Sequence, residues 1–132
     1  MKVQTLWGED YYESKQCAKC GEEKLLSEYC IAGGGNYHRS ECRQCNNHLT
    51  KIRKQLKKDN PLPKEDYVCP ICLRDEEQVK GRGGRNLGAW CLDHNHKDNT
   101  FRGYLCHDCN RALGNFREDI KTLERAIKYL NG

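Results

Sequence analysis

The sequence predicts a small α+β protein made of two consecutive zinc-binding units, the second of which has a strand, strand, helix order. Eight of the ten cysteines fall into four Cys-x-x-Cys pairs, the spacing of the short knuckles that bind tetrahedral zinc. Hydrophobic residues make up only 36% of the 132 residues and charged residues 32%, so burial of apolar side chains is a weak source of stability here. We therefore expect metal binding to supply much of the stability that apolar burial does not.

The cysteine spacing favours zinc over disulfide bonds. Residues 1–10 are polar and lack the apolar core of a secretory signal peptide, which predicts a reducing, cytoplasmic location. No apolar run approaches the length needed to cross a membrane. We expect two structural Zn²⁺ sites of four cysteines each: Cys17, Cys20, Cys42 and Cys45 in the first unit, and Cys69, Cys72, Cys106 and Cys109 in the second. Cys30 lies outside the pairs, and we predict a small buried residue there.

The first unit is predicted to span residues 1–58 and to be zinc-ribbon-like. The run Gly33-Gly34-Gly35-Asn36 is typical of a turn between two short strands. After Cys45, apolar residues recur at helical spacing, which predicts an amphipathic helix of about three turns. Asn60, Pro61 and Pro63 end that helix, so we predict a linker at residues 59–66 and a second domain at 67–132.

The charge of the chain is only mildly basic, at +4, and is weak evidence for a nucleic-acid partner. The placement of the charges says more. Basic residues without an intervening acid follow the second knuckle, at Lys51, Arg53, Lys54, Lys57 and Lys58, and Arg82 and Arg85 lie among glycines. These positions either form a solvated surface or contact the phosphate backbone of DNA.

The second unit is predicted to contain a hairpin followed by a helix. Residues 87–92 and 100–105 have strand character, with a turn at 95–99 between them. A helix is expected from His107 to about Gly114-Asn115. A last amphipathic helix over residues 119–130 places Ile120, Leu123, Ile127 and Leu130 on one face, which we expect to cover the small core.

Three residue types in this unit favour metal-dependent hydrolysis of a phosphodiester. Asp93 and Asn110 offer oxygen ligands suited to Mg²⁺, and His94 exchanges a proton near neutral pH. Asp93 and His94 are neighbours whose side chains would diverge within a regular strand, but they can face one substrate where the strand ends. The alternative is that Asp93, His94 and His96 are turn residues of a module that only docks on a partner, or that one histidine binds zinc. Four cysteines already complete that zinc site.

These residues together resemble the phage recombination endonuclease VII family, a branch of the HNH or His-Me finger nucleases. The resemblance runs from Tyr67 to Leu130, about half of the chain. The matching motifs are Cys69-x-x-Cys72, Leu92-Asp93-His94-Asn95-His96, Arg102-Gly103-Tyr104-Leu105-Cys106-x-x-Cys109-Asn110, Leu113-Gly114 and Tyr129-Leu130.

The resemblance implies a ββα-metal core and a DNA endonuclease. Carried onto this chain, Asp93 and Asn110 would bind one Mg²⁺ or Mn²⁺, His94 would be the general base, and His96 would assist near the phosphate. Arg102 would hold a backbone phosphate, or would be an ordinary strand-surface arginine. The products would carry a 5′-phosphate and a 3′-hydroxyl.

The resemblance leaves the choice of DNA open. Some junction-resolving members have an acidic residue three positions after the asparagine, where this chain has Leu113. The N-terminal half is similar to the zinc ribbon that precedes this domain in phage proteins, which implies DNA contact and a phage-encoded protein that acts in the host bacterium. Nicking, homing-like and branched-DNA cleavage, and a monomer or a homodimer, all stay open. The alternative from another class is a non-enzymatic zinc module that binds nucleic acid or protein.

Overall fold

Short antiparallel strand pairs and four α-helices make up the fold, and the computed structural model describes all 132 residues. The chain divides into two units, Met1–Gln55 and Leu56–Gly132. The predicted limits of the domains, at residues 58 and 67, stay a prediction. No helix is both long enough and apolar enough to span a bilayer.

The first unit consists of three strand pairs and the start of a long helix. Its elements are β1 (Lys2–Thr5), β2 (Gly8–Tyr11), β3 (Ser14–Gln16), β4 (Glu23–Leu25), a 3₁₀ turn (Leu26–Glu28), β5 (Tyr29–Ala32), β6 (Tyr37–Cys42) and α1 (Arg43–Asp59). β1 pairs with β2, β3 with β4 and β5 with β6, all antiparallel.

The predicted glycine turn between two strands is confirmed. Gly33 and Gly34 both adopt positive φ angles, of 70° and 69°, which residues with a side chain rarely adopt. The core of this unit is small: Tyr29 is buried against Cys17 and Cys42, and its hydroxyl donates to the Lys15 carbonyl at 2.8 Å. With so little apolar burial, the cysteines that would bind a metal are themselves the core.

Two sequence predictions for the first unit need revision. The helix is longer than predicted because α1 starts at Arg43 and so includes the second knuckle rather than following it. Cys30 is half-buried rather than buried. Sequence alone did not decide the structure of residues 1–16, which form strands β1, β2 and β3.

The second unit contains the strand, strand, helix arrangement. Its elements are the end of α1, α2 (Glu76–Val79), β7 (Trp90–His94), β8 (Phe101–Cys106), α3 (His107–Asn115) and α4 (Ile120–Asn131). β7 and β8 pair antiparallel, and Val79, Ala89 and Leu105 are buried against Cys69, Cys106 and Cys109. The predicted fold class, small α+β with a ββα core and two four-cysteine clusters, is confirmed.

Two long-range tyrosine hydrogen bonds fix the start of this unit on the hairpin. The buried Tyr104 hydroxyl donates to the Asn60 carbonyl at 2.7 Å, and the Tyr67 hydroxyl donates to the Tyr104 carbonyl at 2.6 Å. Tyr67 also meets the Trp90 ring edge-on, with centroids 5.0 Å apart. The residues around Pro61 and Pro63 are therefore anchored at both ends by side-chain contacts.

Two predictions for the second unit were wrong in detail. β7 begins at Trp90 rather than at residue 87, since Leu87 is exposed and its N–H bonds back to the Gly84 carbonyl in a turn. The apolar face of α4 does not cover the core: Ile120 is 70% exposed, Ile127 61% and Leu130 82%. Leu123, the fourth residue of that face, is half-buried, but no hydrophobic residue of α4 packs against the buried core.

Candidate active site and zinc clusters

The eight predicted cysteines gather into two clusters that fit two zinc sites. In each cluster, Cys17, Cys20, Cys42 and Cys45 or Cys69, Cys72, Cys106 and Cys109, the four sulfurs lie within 4.8 Å of one another. Zinc with Zn–S bonds of about 2.3 Å in a tetrahedron places its sulfurs about 3.8 Å apart. The Sγ atoms of Cys72 and Cys106 are 3.7 Å apart. Cys30 and Cys91 belong to neither cluster.

Hydrogen bonds to sulfur prepare the clusters for metal. The Arg74 Nε donates to Cys72 Sγ at 3.2 Å, and this bond is the main reason that the pKa of Cys72 falls to about 6. In the first cluster the N–H groups of Cys42 and Lys19 donate to Cys17 Sγ at 3.2 and 3.4 Å. Because thiolates are the form that binds zinc, these donors favour the metal-binding state.

The second cluster fixes the corner between β8 and α3. Cys106 is the last residue of β8 and the N-cap of α3, and its sulfur accepts from the Cys109 N–H at 3.4 Å. Asn110, the second predicted Mg²⁺ ligand, follows Cys109 directly and has an exposed side chain. A metal in this cluster would therefore fix the helix turn that carries Asn110.

Asp93 and His94 lie at a β-bulge at the end of β7. Asp93 is opposite Gly103 and His94 is opposite Phe101, so Arg102 is an extra residue on β8. A bulge interrupts the strict alternation of side chains and re-aims those beside it. Asp93 and His94 thus lie where the regular strand ends, and both side chains are buried.

Arg102 forms a two-pronged contact with Asp93. Its Nε donates to Oδ2 at 2.8 Å and its terminal Nη2 to Oδ1 at 3.0 Å. The Asp93 side chain is only 10% exposed whereas that of Arg102 is 38% exposed, so this ion pair is shielded from water on the carboxylate side only. The hydrogen bond raises the pKa of Arg102. The contact places the Arg102 guanidinium on a protein carboxylate, and its predicted phosphate contact stays a prediction.

The carboxylate of Asp93 suits a hard cation. It is an oxygen donor, which Mg²⁺ prefers, and each oxygen retains a second lone pair beyond the one that accepts from Arg102. Asp93 and Asn110 fit the donor chemistry of a Mg²⁺ or Mn²⁺ site. Their roles as ligands stay a prediction.

The two histidines of the motif lie edge to face. The His94 and His96 rings are 4.8 Å apart between centroids with an interplanar angle of 82°, and His94 is buried. His96 is more exposed, and its Nδ1 lies 3.4 Å from Glu118 Oε2. Glu118 also lies 3.1 Å from Arg102, through its Oε1.

Sequence reasoning missed Glu118. It is 24 positions beyond His94, outside every motif, and directly precedes Asp119, the N-cap of α4. No spacing rule links a residue between two helices to a hairpin, so only the structure reveals this contact. The basic residues predicted to contact DNA on α1 and at Arg82 and Arg85 are all exposed.

A second missed contact involves Cys91 of β7. Cys91 Sγ is 2.9 Å from His107 Nδ1, and His107 Nε2 is 2.7 Å from the Gly88 carbonyl oxygen. The His107 ring thus connects β7, α3 and the glycine-rich loop. Gly83 packs flat on that ring, where an added Cβ would lie 2.3 Å from a ring atom.

Comparison with known proteins identifies the family of this chain. Residues 53–132 match the model of the recombination endonuclease VII family. The chain belongs to this family. The family resemblance drawn from the Asp93-His94 and Cys106-Asn110 motifs is therefore confirmed.

A curated phage protein and a solved structure are also similar to this chain. The Gene 59 protein of Mycobacterium phage D29 is 40% identical over 63 residues, which are 47% of this chain and 33% of that protein. The chain therefore spans about a third of the length of this curated relative. Among solved structures, the beta-beta-alpha-Me type II restriction endonuclease Hpy99I aligns with 91% of this chain and 66% of its own, at 26% identity and a TM-score of 0.49.

Proposed function

We propose that this endonuclease VII family member is a metal-dependent DNA endonuclease, with His94 as general base and Mg²⁺ or Mn²⁺ held by Asp93 and Asn110. The observation that carries the proposal is the succession, at the end of β7, of a buried carboxylate paired with Arg102 and a buried imidazole. Membership of a nuclease family supports the same reaction.

His94 would accept the proton of the attacking water. Its ring is buried and therefore largely shielded from bulk water. The T-shaped contact with His96 restrains the orientation of the ring. A positioned base of this kind contributes about 10²- to 10⁴-fold to a rate. His96, being more exposed, would face the phosphate as an auxiliary group.

The divalent cation would neutralise charge on the phosphate and on the leaving oxygen. Asp93 would hold it through its carboxylate, which the Arg102 guanidinium contacts through two hydrogen bonds. Asn110 would be held by the cysteine cluster that precedes it. In this division of work the zinc ions are structural and the hard cation acts on the substrate.

DNA contact would come from exposed basic residues outside the site. Lys51, Arg53, Lys54, Lys57 and Lys58 on α1 have exposed side chains, as do Arg82 and Arg85. Each phosphate contact releases counterions, so binding should weaken steeply with salt. We propose that the protein is phage-encoded and acts on DNA in the host cell, as a monomer or a homodimer, and yields a 5′-phosphate and a 3′-hydroxyl.

The test is a cleavage assay with supercoiled plasmid and a branched DNA, with and without added Mg²⁺. Magnesium omission is a better control than EDTA, because EDTA would also remove structural zinc. Wild-type protein should cut only with the added cation, and His94→Ala should lose about 10²- to 10⁴-fold in rate. Zinc content should stay the same in the variant.

The matched control is His38→Ala, which removes a half-buried histidine from β6. It should cut as the wild type does. Cleavage by His94→Ala at the wild-type rate would refute the proposed base. Binding of DNA without cleavage of any substrate would favour the non-enzymatic zinc module instead.

A further inference from the structure

We infer that Glu118 is a positioning residue of this site, which holds Arg102 on Asp93 and His96 beside His94. The inference rests on the proposed function and deepens it. It concerns a residue that belongs to none of the motifs.

Glu118 contacts both basic groups that flank the site. One carboxylate oxygen, Oε1, lies 3.1 Å from Arg102 Nη2, and the other, Oε2, lies 3.4 Å from His96 Nδ1. Its side chain is 24% exposed, so water screens these contacts only in part. Each oxygen serves one partner, which makes Glu118 the link between β8 and the loop after β7.

Arg102 lies between two carboxylates as a result. Its guanidinium uses Nε and Nη2 on Asp93, and Nη2 also faces Glu118. Arg102 is the extra residue of the bulge and its side chain is 38% exposed. Glu118 is thus the second charge that keeps this guanidinium against the site, where a DNA phosphate would otherwise draw it away.

The backbone at Glu118 is in an unfavourable conformation. Arg117 and Glu118 have φ angles of 56° and 53°, in the left-handed region where L residues other than glycine and asparagine are rare. Two helix-ending hydrogen bonds hold the turn: Arg117 N–H donates to the Gly114 carbonyl and Glu118 N–H to the Leu113 carbonyl, both at 2.9 Å. Glycine would suit the backbone at 118 better, so Glu118→Gly removes the carboxylate without adding backbone strain.

The turn also lines a groove beside the site. Its volume is about 510 Å³, and its lining includes Lys97, Arg102, Arg117 and Glu118. A DNA backbone entering this groove would meet cations, with Glu118 as the acidic group among them. Removal of Glu118 should therefore leave DNA affinity unchanged or higher while cleavage falls. A loss of cleavage without a loss of DNA affinity distinguishes a positioning role from general misfolding of the variant.

The test compares Glu118→Gln and Glu118→Gly with wild type in single-turnover cleavage at saturating protein. Supporting groups around a metal site typically contribute about 10- to 100-fold, so we expect cleavage to fall by about that factor. DNA affinity should not fall, and Glu118→Gly should unfold at the same temperature as wild type or higher. Glu124→Gln removes an exposed carboxylate of α4 and should change none of these quantities.

A readout independent of cleavage is the NMR signal of the Arg102 Nε–H. In wild type it should exchange slowly with water, since Asp93 and Glu118 hold the guanidinium. In both variants its exchange should be faster. Unchanged exchange together with wild-type cleavage in Glu118→Gly would overturn the inference. If wild type cuts no DNA, the proposed function fails, and the Arg102 signal alone still decides whether Glu118 positions this side chain.

Discussion

The Arg74 side chain joins Cys72 to Asp108 across the second cysteine cluster. Its Nε lies 3.2 Å from Cys72 Sγ and its Nη2 lies 3.3 Å from Asp108 Oδ2. Asp108 lies between Cys106 and Cys109 in the sequence, so this arginine links the two Cys-x-x-Cys knuckles of one cluster. A positive charge beside a thiolate cluster favours both deprotonation and metal binding.

Arg74→Leu should weaken zinc binding by about 10- to 100-fold, the range found for second-shell partners of metal ligands. In wild type the pKa of Cys72 is lowered to about 6, so its thiolate persists from high pH down to about pH 6. Without Arg74 the pKa rises toward the ordinary value of 9.0. The loss of affinity should therefore be largest between pH 6 and 9.

Competition with a chromophoric chelator at several pH values measures this effect. Arg85→Leu is the control, because it removes an exposed arginine of the same unit without touching a cysteine. Equal zinc affinity in Arg74→Leu and Arg85→Leu would contradict the role assigned to Arg74.

Gly83→Ala should destabilise the second unit, by about 1–3 kcal/mol as is typical of overpacking. The new Cβ would lie 2.3 to 2.5 Å from three atoms of the His107 ring. That ring cannot move aside freely, since Cys91 and the Gly88 carbonyl contact its two nitrogens. Gly88→Ala is the matched control because a Cβ there meets nothing within 4 Å, and chemical denaturation of the zinc-loaded variants compares them.

Tyr104→Phe should cost about 0.5–1.5 kcal/mol, the net contribution of a typical intramolecular hydrogen bond. The Tyr104 hydroxyl is the donor to the Asn60 carbonyl, at 2.7 Å, and the substitution removes only that hydroxyl. Urea unfolding at fixed zinc gives the difference. Tyr129→Phe removes a hydroxyl from an exposed side chain of α4 and should leave the free energy of unfolding unchanged.

The apolar face of α4 and the core should respond very differently to truncation. Leu105 is buried in the second cluster's core, so Leu105→Ala should cost about 2–5 kcal/mol. Ile127 is 61% exposed, and Ile127→Ala should cost about 0.5 kcal/mol or less. Similar losses for both, measured on dilute protein, would mean that α4 is covered by part of the molecule.

The sequence was most informative where local rules decide the structure. The Cys-x-x-Cys pairs identified both clusters, the glycine run identified the turn after Ala32, and the end of α3 at Asn115 agrees with its Gly-Asn signal. Each of these depends on neighbours within a few residues. The bulge at Arg102 and the contact of Glu118 depend on pairing across the hairpin and between elements, which periodicity does not encode.

Charge partners were the least predictable feature. From the sequence, Arg102 is a strand arginine that either binds a phosphate or lies on the surface. Only the pairing of the strands, which places Arg102 opposite Asp93 and His94, reveals the carboxylate that it contacts. The exposed face of α4 illustrates the opposite error. A strong helical period predicts that an apolar face exists, but it does not specify what covers it.

The two tryptophans have contrasting surroundings, one in each unit. Trp7, at the tip of the first hairpin, is 95% exposed, whereas Trp90 is half-buried against the edge of Tyr67. Aqueous iodide should quench the emission of Trp7 and largely spare that of Trp90. Intrinsic fluorescence with this quencher therefore gives a separate optical signal for each unit, so their melting can be followed individually without an attached dye.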